Sequence, residues 1–101
     1  MALKVFWTET AIRQRNLIFE YWNERNGSVS YSLKLFAKIK ERTDILKESP
    51  EIGKKADNKN MRAISLGHYS IFYQHDTSRI IITAFWDNRQ EPGKLLKFLR
   101  R

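Results

Sequence analysis

The chain has 101 residues, 42% hydrophobic and 13% aromatic, enough apolar material for one folded domain and too much for a disordered chain. It contains no cysteine, which excludes a disulfide framework, a thiolate zinc site and a cysteine nucleophile. Nineteen Lys and Arg against eleven Asp and Glu give a formal charge of +8, unevenly spread, with nine cations and seven anions in residues 1–53 and ten and four in residues 54–101. A local excess of that sign suits a polyanion, an acidic protein or a membrane surface. No run approaches the ~18 consecutive apolar residues of a membrane span, and Glu9 cuts the N-terminal apolar stretch too early for a signal peptide. The expected compartment is the cytosol, and the chain is expected to form one domain over residues 1–101.

In chain order, Leu3, Val5 and Trp7 alternate with Lys4, Phe6 and Thr8, the two-residue period of a strand. Thr8 or Thr10 can cap a following helix whose stripe is Ala11, Ile12, Ile18, Phe19 and Trp22, with Arg13, Glu20 and Glu24 facing away. Asn26-Gly27 ends it. Ser28 or Ser30 starts a second helix that buries Leu33, Leu35, Phe36, Ile39 and Leu46, leaves Lys34, Lys38, Glu41 and Lys47 in water, and stops at Pro50. The short connection makes an antiparallel helical hairpin. Residues 50–60 are polar and basic and read as a loop. Three strands follow, Met61–Leu66, His68–His75 and Arg79–Trp86, with turns at Gly67 and Asp76-Thr77-Ser78 that pair them as an antiparallel meander. The last of these is apolar on both faces, the mark of a buried central strand. Lys94–Arg101 reads as a short amphipathic helix. The predicted fold is α+β: a helical hairpin on one face of a small antiparallel sheet, with the other face open for function.

Several residues invite two readings. Arg62 is either a structural residue, solvated on a strand edge or a partner of Glu48 or Asp87, or a phosphate-binding cation. Lys54, Lys55 and Lys59 form a basic cluster with Arg62 that either solubilises the loop or meets phosphates. Trp86, beside Asp87, Asn88 and Arg89, is either the lid of the core or a partner-binding anchor. Tyr69, Ile71 and Tyr73 share one face, a pattern typical of core rather than of a base-stacking platform. His68 and His75 read as surface histidines with no shared metal. Paired catalytic carboxylates, a Gly-rich phosphate loop, a Ser/His/Asp order and metal-ligand spacing are all missing from the sequence, so neither a metal nor another cofactor is expected.

Taken together, the basic charge, the strand and helical hairpin, the exit Glu48-Ser49-Pro50-Glu51-Ile52-Gly53, the Met61-Arg62-Ala63-Ile64 strand, Gly67-His68-Tyr69-Ser70-Ile71-Phe72-Tyr73, and Ile80 to Arg89 resemble the RelE/ParE superfamily. Its members are toxins of type II toxin-antitoxin systems, also described as plasmid stabilisation proteins. The resemblance covers essentially the whole chain. It implies a small cytoplasmic growth inhibitor neutralised by an acidic, partly disordered antitoxin, with DNA gyrase or ribosome-bound messenger RNA as target. The family's basic position on the second strand matches Arg62. The arginine that usually follows the third-strand aromatic is Ser70, and Trp86 and Asp87 stand where ribonuclease members end the last strand with basic residues or histidine. An aspartate there repels a scissile phosphate. The resemblance therefore points to a ParE-like gyrase inhibitor contacting its target through Lys54, Lys55, Lys59, Arg62, Trp86 and Arg89. The alternatives are a RelE-like ribosome-dependent endonuclease using Arg62, Lys54, Lys55 and Arg89 as phosphate-binding cations with Tyr73 or His68 for proton transfer, and a degenerate member that only binds an antitoxin.

Overall fold

A computed structural model of the chain describes residues 3–56, 60–90 and 93–94. The element order is β1 (Lys4–Trp7), α1 (Glu9–Asn26), α2 (Ser30–Glu48), β2 (Lys54–Lys55), β3 (Arg62–Leu66), β4 (Tyr69–His75) and β5 (Arg79–Asp87). The predicted C-terminal helix lies, beyond Lys94, outside the described residues. So does Lys59.

Thr8 starts α1: its extended backbone leaves the side-chain oxygen free to accept from the Ala11 N–H at 3.2 Å. Gly27 stops the helix at φ 64°, a conformation that an L side chain resists. The start of α2 differs from the predicted serine cap, since Val29 stands at the cap position and makes no side-chain cap bond.

The buried face of α2 is Ser32, Leu35, Ile39, Thr43 and Leu46, whereas Leu33 and Phe36, predicted inside, are 64% and 49% exposed. Two polar residues complete the inward stripe because their hydroxyls are satisfied locally. Ser32 bonds the Phe19 carbonyl and Asn23, and Thr43 bonds the Lys40 carbonyl. Phe36 keeps only an edge contact with Phe19, at 6.4 Å between ring centroids.

The five strands form one sheet in the order β1-β5-β4-β3-β2. Two features depart from the predicted antiparallel meander. β1 lies against β5 and runs parallel to it, so the sheet is mixed. Lys54 and Lys55, predicted as loop, form the short edge strand β2 against Ala63 and Arg62. β5 is interior, as its doubly apolar sequence predicts, but the middle place belongs to β4 because β2 extends the sheet beyond β3.

The register of β4 on β5 slips between Phe72 and Tyr73: Phe72 pairs Ala84 and Tyr73 pairs Ile82, leaving Thr83 as a bulge. The slip reverses the alternation of β5. Before the bulge the even-numbered Ile80 and Ile82 belong to the helix-side core, and after it the odd-numbered Phe85 does, with Ala84 and Trp86 alternating against it. The core joins Ala11, Leu35, Ile39 and Leu46 from the helices to Leu66, Tyr69, Ile71, Tyr73, Ile80, Ile82 and Phe85 from the sheet.

One close approach ties the loop after α2 to this core. The buried Tyr73 hydroxyl donates to the Pro50 carbonyl at 2.8 Å and accepts from the Gly53 N–H at 2.9 Å. A Cβ on residue 53 would stand 2.5 Å from that hydroxyl oxygen and 2.9 Å from the Ala63 carbonyl oxygen, so glycine is required for space. Gly53→Ala is expected to destabilise the fold by about 1–3 kcal/mol, the usual cost of overpacking, as read from the urea midpoint. An unchanged midpoint would show that the loop yields freely.

Candidate functional site

The residues singled out in the sequence fall at two ends of β4. At the first, Tyr73 pairs with Arg62 of β3, which in turn pairs with Lys55 of β2. Arg62 does not meet Glu48 or Asp87, its predicted partners. Its guanidinium donates to the Glu51 carbonyl at 3.2 Å and to the Gly53 carbonyl at 2.8 Å, closing the loop that Tyr73 holds from the other side. Tyr73 is fully buried, and that burial pushes its hydroxyl above the usual tyrosine range. Lys54 and Lys55 are exposed on the sheet edge.

At the second end, β4 opens with Tyr69, whose register partner is Asp87. Trp22 of α1 donates its indole N–H to the Tyr69 hydroxyl at 3.0 Å, and the Tyr69 ring stacks on Phe85 with centroids 5.3 Å apart. Arg89 pairs with Asp87 at 2.8 Å and lies 5.7 Å from the Trp22 ring centre and 5.8 Å from that of Tyr69. Hydrogen bonding from Arg89 holds the Asp87 carboxyl below its ordinary range, and the same bond holds Arg89 above its own. Ser70 of β4 donates its hydroxyl to the Asn88 side-chain oxygen, in the turn after β5, at 2.9 Å. His68 stands in the turn before β4, exposed, rather than on the strand. A cavity of about 700 Å³ opens between α1 and the end of β5, lined by Leu17, Tyr21, Trp22, Trp86 and Arg89 among others.

Tyr69 to Tyr73 is four strand steps, roughly 13 Å, so the two ends do not converge on one reacting bond. Arg62 and Tyr73 come together, as do Trp86, Asp87 and Arg89. His68 and Arg89 do not approach Arg62. Among the described residues, no three His, Cys, Asp or Glu gather as a metal site, and no helix is long and apolar enough to cross a membrane. Sequence reasoning missed Trp22, which it placed in the core stripe, and Gln14, whose side-chain oxygen accepts the Phe85 N–H at 2.9 Å on the stretch of β5 beyond the end of β1. The Thr83 bulge that aims Asp87 at this end has no signature in a run apolar on both faces.

The sequence model of the ParE toxin of the type II toxin-antitoxin system, parDE, matches residues 5–92. The chain belongs to the ParE toxin family. Its partner is therefore an antitoxin. The fold agrees: the solved structure of a chromosomal ParDE TA system from P. aeruginosa superposes with a TM-score of 0.70 at 18% identity, covering 83% of this chain and 94% of that one. No curated protein matches the toxin in sequence.

Burial is the largest influence on the Tyr69 hydroxyl, ahead of a bond to Tyr31, and pushes it up to about 12. The unfolded chain ionises its tyrosines near 10, so between pH 10 and 12 the folded toxin holds a proton that the unfolded chain has lost. Stability gained from Tyr69 is complete below pH 10 and is lost as pH rises toward 12. Urea unfolding across pH 9–12 is expected to show this decline, with a shallower slope for Tyr69→Phe; equal slopes would place the titration elsewhere.

Proposed function

We propose that this ParE-family toxin arrests growth by binding DNA gyrase, and that it carries out no covalent chemistry of its own. The observation that carries the reading is the commitment of Tyr73, Arg89 and part of Arg62 to structural bonds, which leaves His68, Lys54 and Lys55 as the exposed members of the candidate set. Cleavage by a ribose 2′-hydroxyl needs cations on the phosphorane and a base and an acid on either side of it. Arg62 gives its Nη1 to two carbonyls, Tyr73 is buried with both hydroxyl bonds made, and Arg89 is paired with Asp87. Trp86 and Asp87, where the resemblance puts the basic residues or histidine of ribonuclease members, supply no cation.

Binding is supported by what the surface does offer. Leu17 and Tyr21 on α1 are 59% and 54% exposed beside the cavity that contains Trp86, an arrangement of apolar anchors suited to a protein partner. Lys54, Lys55 and Arg62 supply a basic edge at the opposite end, and Lys59 belongs to the same stretch of sequence.

The test is a DNA supercoiling assay with purified gyrase, toxin and antitoxin. Toxin alone is expected to abolish supercoiling at near-stoichiometric concentration, and prior mixing with antitoxin to restore it. Full gyrase activity in excess toxin, together with cutting of ribosome-bound messenger RNA, would overturn the proposal.

A further inference from the structure

The two edges of the sheet are guarded unequally. An exposed edge strand offers its unpaired N–H and C=O groups to any other chain, and proteins blunt it with lysine, proline or a bulge. At one end the edge strand β2 is Lys54-Lys55, two residues long and exposed. At the other end β1 is Lys4-Val5-Phe6-Trp7, regular in register along its whole length, with its one lysine at the first position. Lys4 and Thr8 donate their N–H groups to the Ser78 and Ile82 carbonyls at 3.2 and 3.0 Å, so alternation turns the backbone groups of Val5 and Trp7 outward. Among the described residues no group bonds them there, and the edge is met at its start, where Leu3 donates to the Lys47 carbonyl at 3.5 Å. Phe6 stands on the face away from the helices, 49% exposed, while Val5 and Trp7 pack against the core with Arg15 over the Trp7 ring at 4.8 Å.

This strand is complementary to itself. Laid antiparallel about a two-fold axis at Phe6, it sets Val5 of each copy opposite Trp7 of the other, and these pairs exchange both N–H and C=O bonds. Phe6 meets its own counterpart at the non-hydrogen-bonded position, with Cα atoms about 4.5 Å apart and an aromatic contact across the strands. Lys4 falls opposite Thr8, so no like charges face each other along the strand. We propose that the toxin pairs with a second copy of itself through β1, joining two five-stranded sheets into one continuous sheet. The Lys54 and Lys55 edge of each copy then stays at the outside. The formal charge of +8 on each chain opposes the pairing and salt relieves that repulsion, so association strengthens as ionic strength rises. An acidic partner on the same edge would show the opposite dependence.

The test combines sedimentation of the purified toxin with cross-linking. Because the chain has no cysteine, Phe6→Cys carries a single thiol per copy, and at that pair spacing copper-phenanthroline, a mild oxidant, joins two of them as one disulfide. Leu33→Cys, at a 64% exposed site on α2, is the control. Wild type is expected to sediment at twice its 12.1 kDa at micromolar concentration and raised salt. Phe6→Cys is expected to cross-link about tenfold or more faster than Leu33→Cys. Phe6→Lys, which sets two ammonium groups opposite one another on an exposed face, is expected to leave a monomer with the wild-type circular dichroism. Equal cross-linking rates, a Phe6→Lys variant that still dimerises, or a wild type that stays monomeric at raised salt would each overturn the pairing. A monomeric wild type whose antitoxin affinity falls with Phe6→Lys would overturn it too, and assign the edge to the antitoxin.

Discussion

The Tyr73 hydroxyl holds together the part of the molecule that decides between chemistry and binding. It lies at the middle strand, fully buried, and satisfies one carbonyl and one N–H of the loop leaving α2. That loop can be drawn in only because residue 53 lacks a side chain. Once it is in place, β2 can pair with β3, and Arg62 can close the loop from the far side through the Glu51 and Gly53 carbonyls. Releasing either partner would leave buried polar groups unpaired, at a cost of about 1–3 kcal/mol each. The same bonds that complete the sheet thus occupy the Tyr73 hydroxyl and the Nη1 of Arg62.

The other end of β4 repeats the arrangement with different groups. Trp22, Tyr69 and Phe85 link α1 to the sheet, and Arg89 lies against two of these rings while Asp87 takes up its charge. The bulge at Thr83 makes this possible by moving Phe85 into the core and Asp87 to the helix side. Both clusters of conspicuous residues are therefore structural at their centres and open to partners only at their margins. Further exposed cations, Lys34 and Lys38, lie elsewhere, on the outer face of α2. The sequence-wide charge does not reveal this: the second half carries most of the excess, whereas Lys34, Lys38 and Arg42 belong to the nearly balanced first half.

What could be read from the sequence was local. Thr8 and Gly27 mark the ends of α1 through capping chemistry that needs no tertiary context, and Gly67 and Asp76-Thr77-Ser78 place the turns. Partners across the sheet were less accessible. Alternation in Leu3 to Trp7 signals a strand but carries neither its neighbour nor its direction, so the parallel pairing with β5 was not foreseen. Ser32 and Thr43 look like surface residues until Phe19, Asn23 and Lys40 are seen to satisfy them, and the apolar Leu33 and Phe36 drew the inward face of α2 about one position off. Arg62 was recognisable as important, but its partners are backbone carbonyls, which leave no trace in residue identity.

Binding without cleavage is tested most directly by mapping messenger RNA 5′ ends and chromosomal DNA breaks together, a few minutes after inducing this toxin alone in bacteria. Intact transcripts accompanied by DNA breaks and growth arrest are the expected result, because Tyr73 is buried and bonded and Arg89 is paired with Asp87. Fresh 5′ ends clustered inside translated codons, with the chromosome intact, would contradict it and return Arg62 to the chemistry.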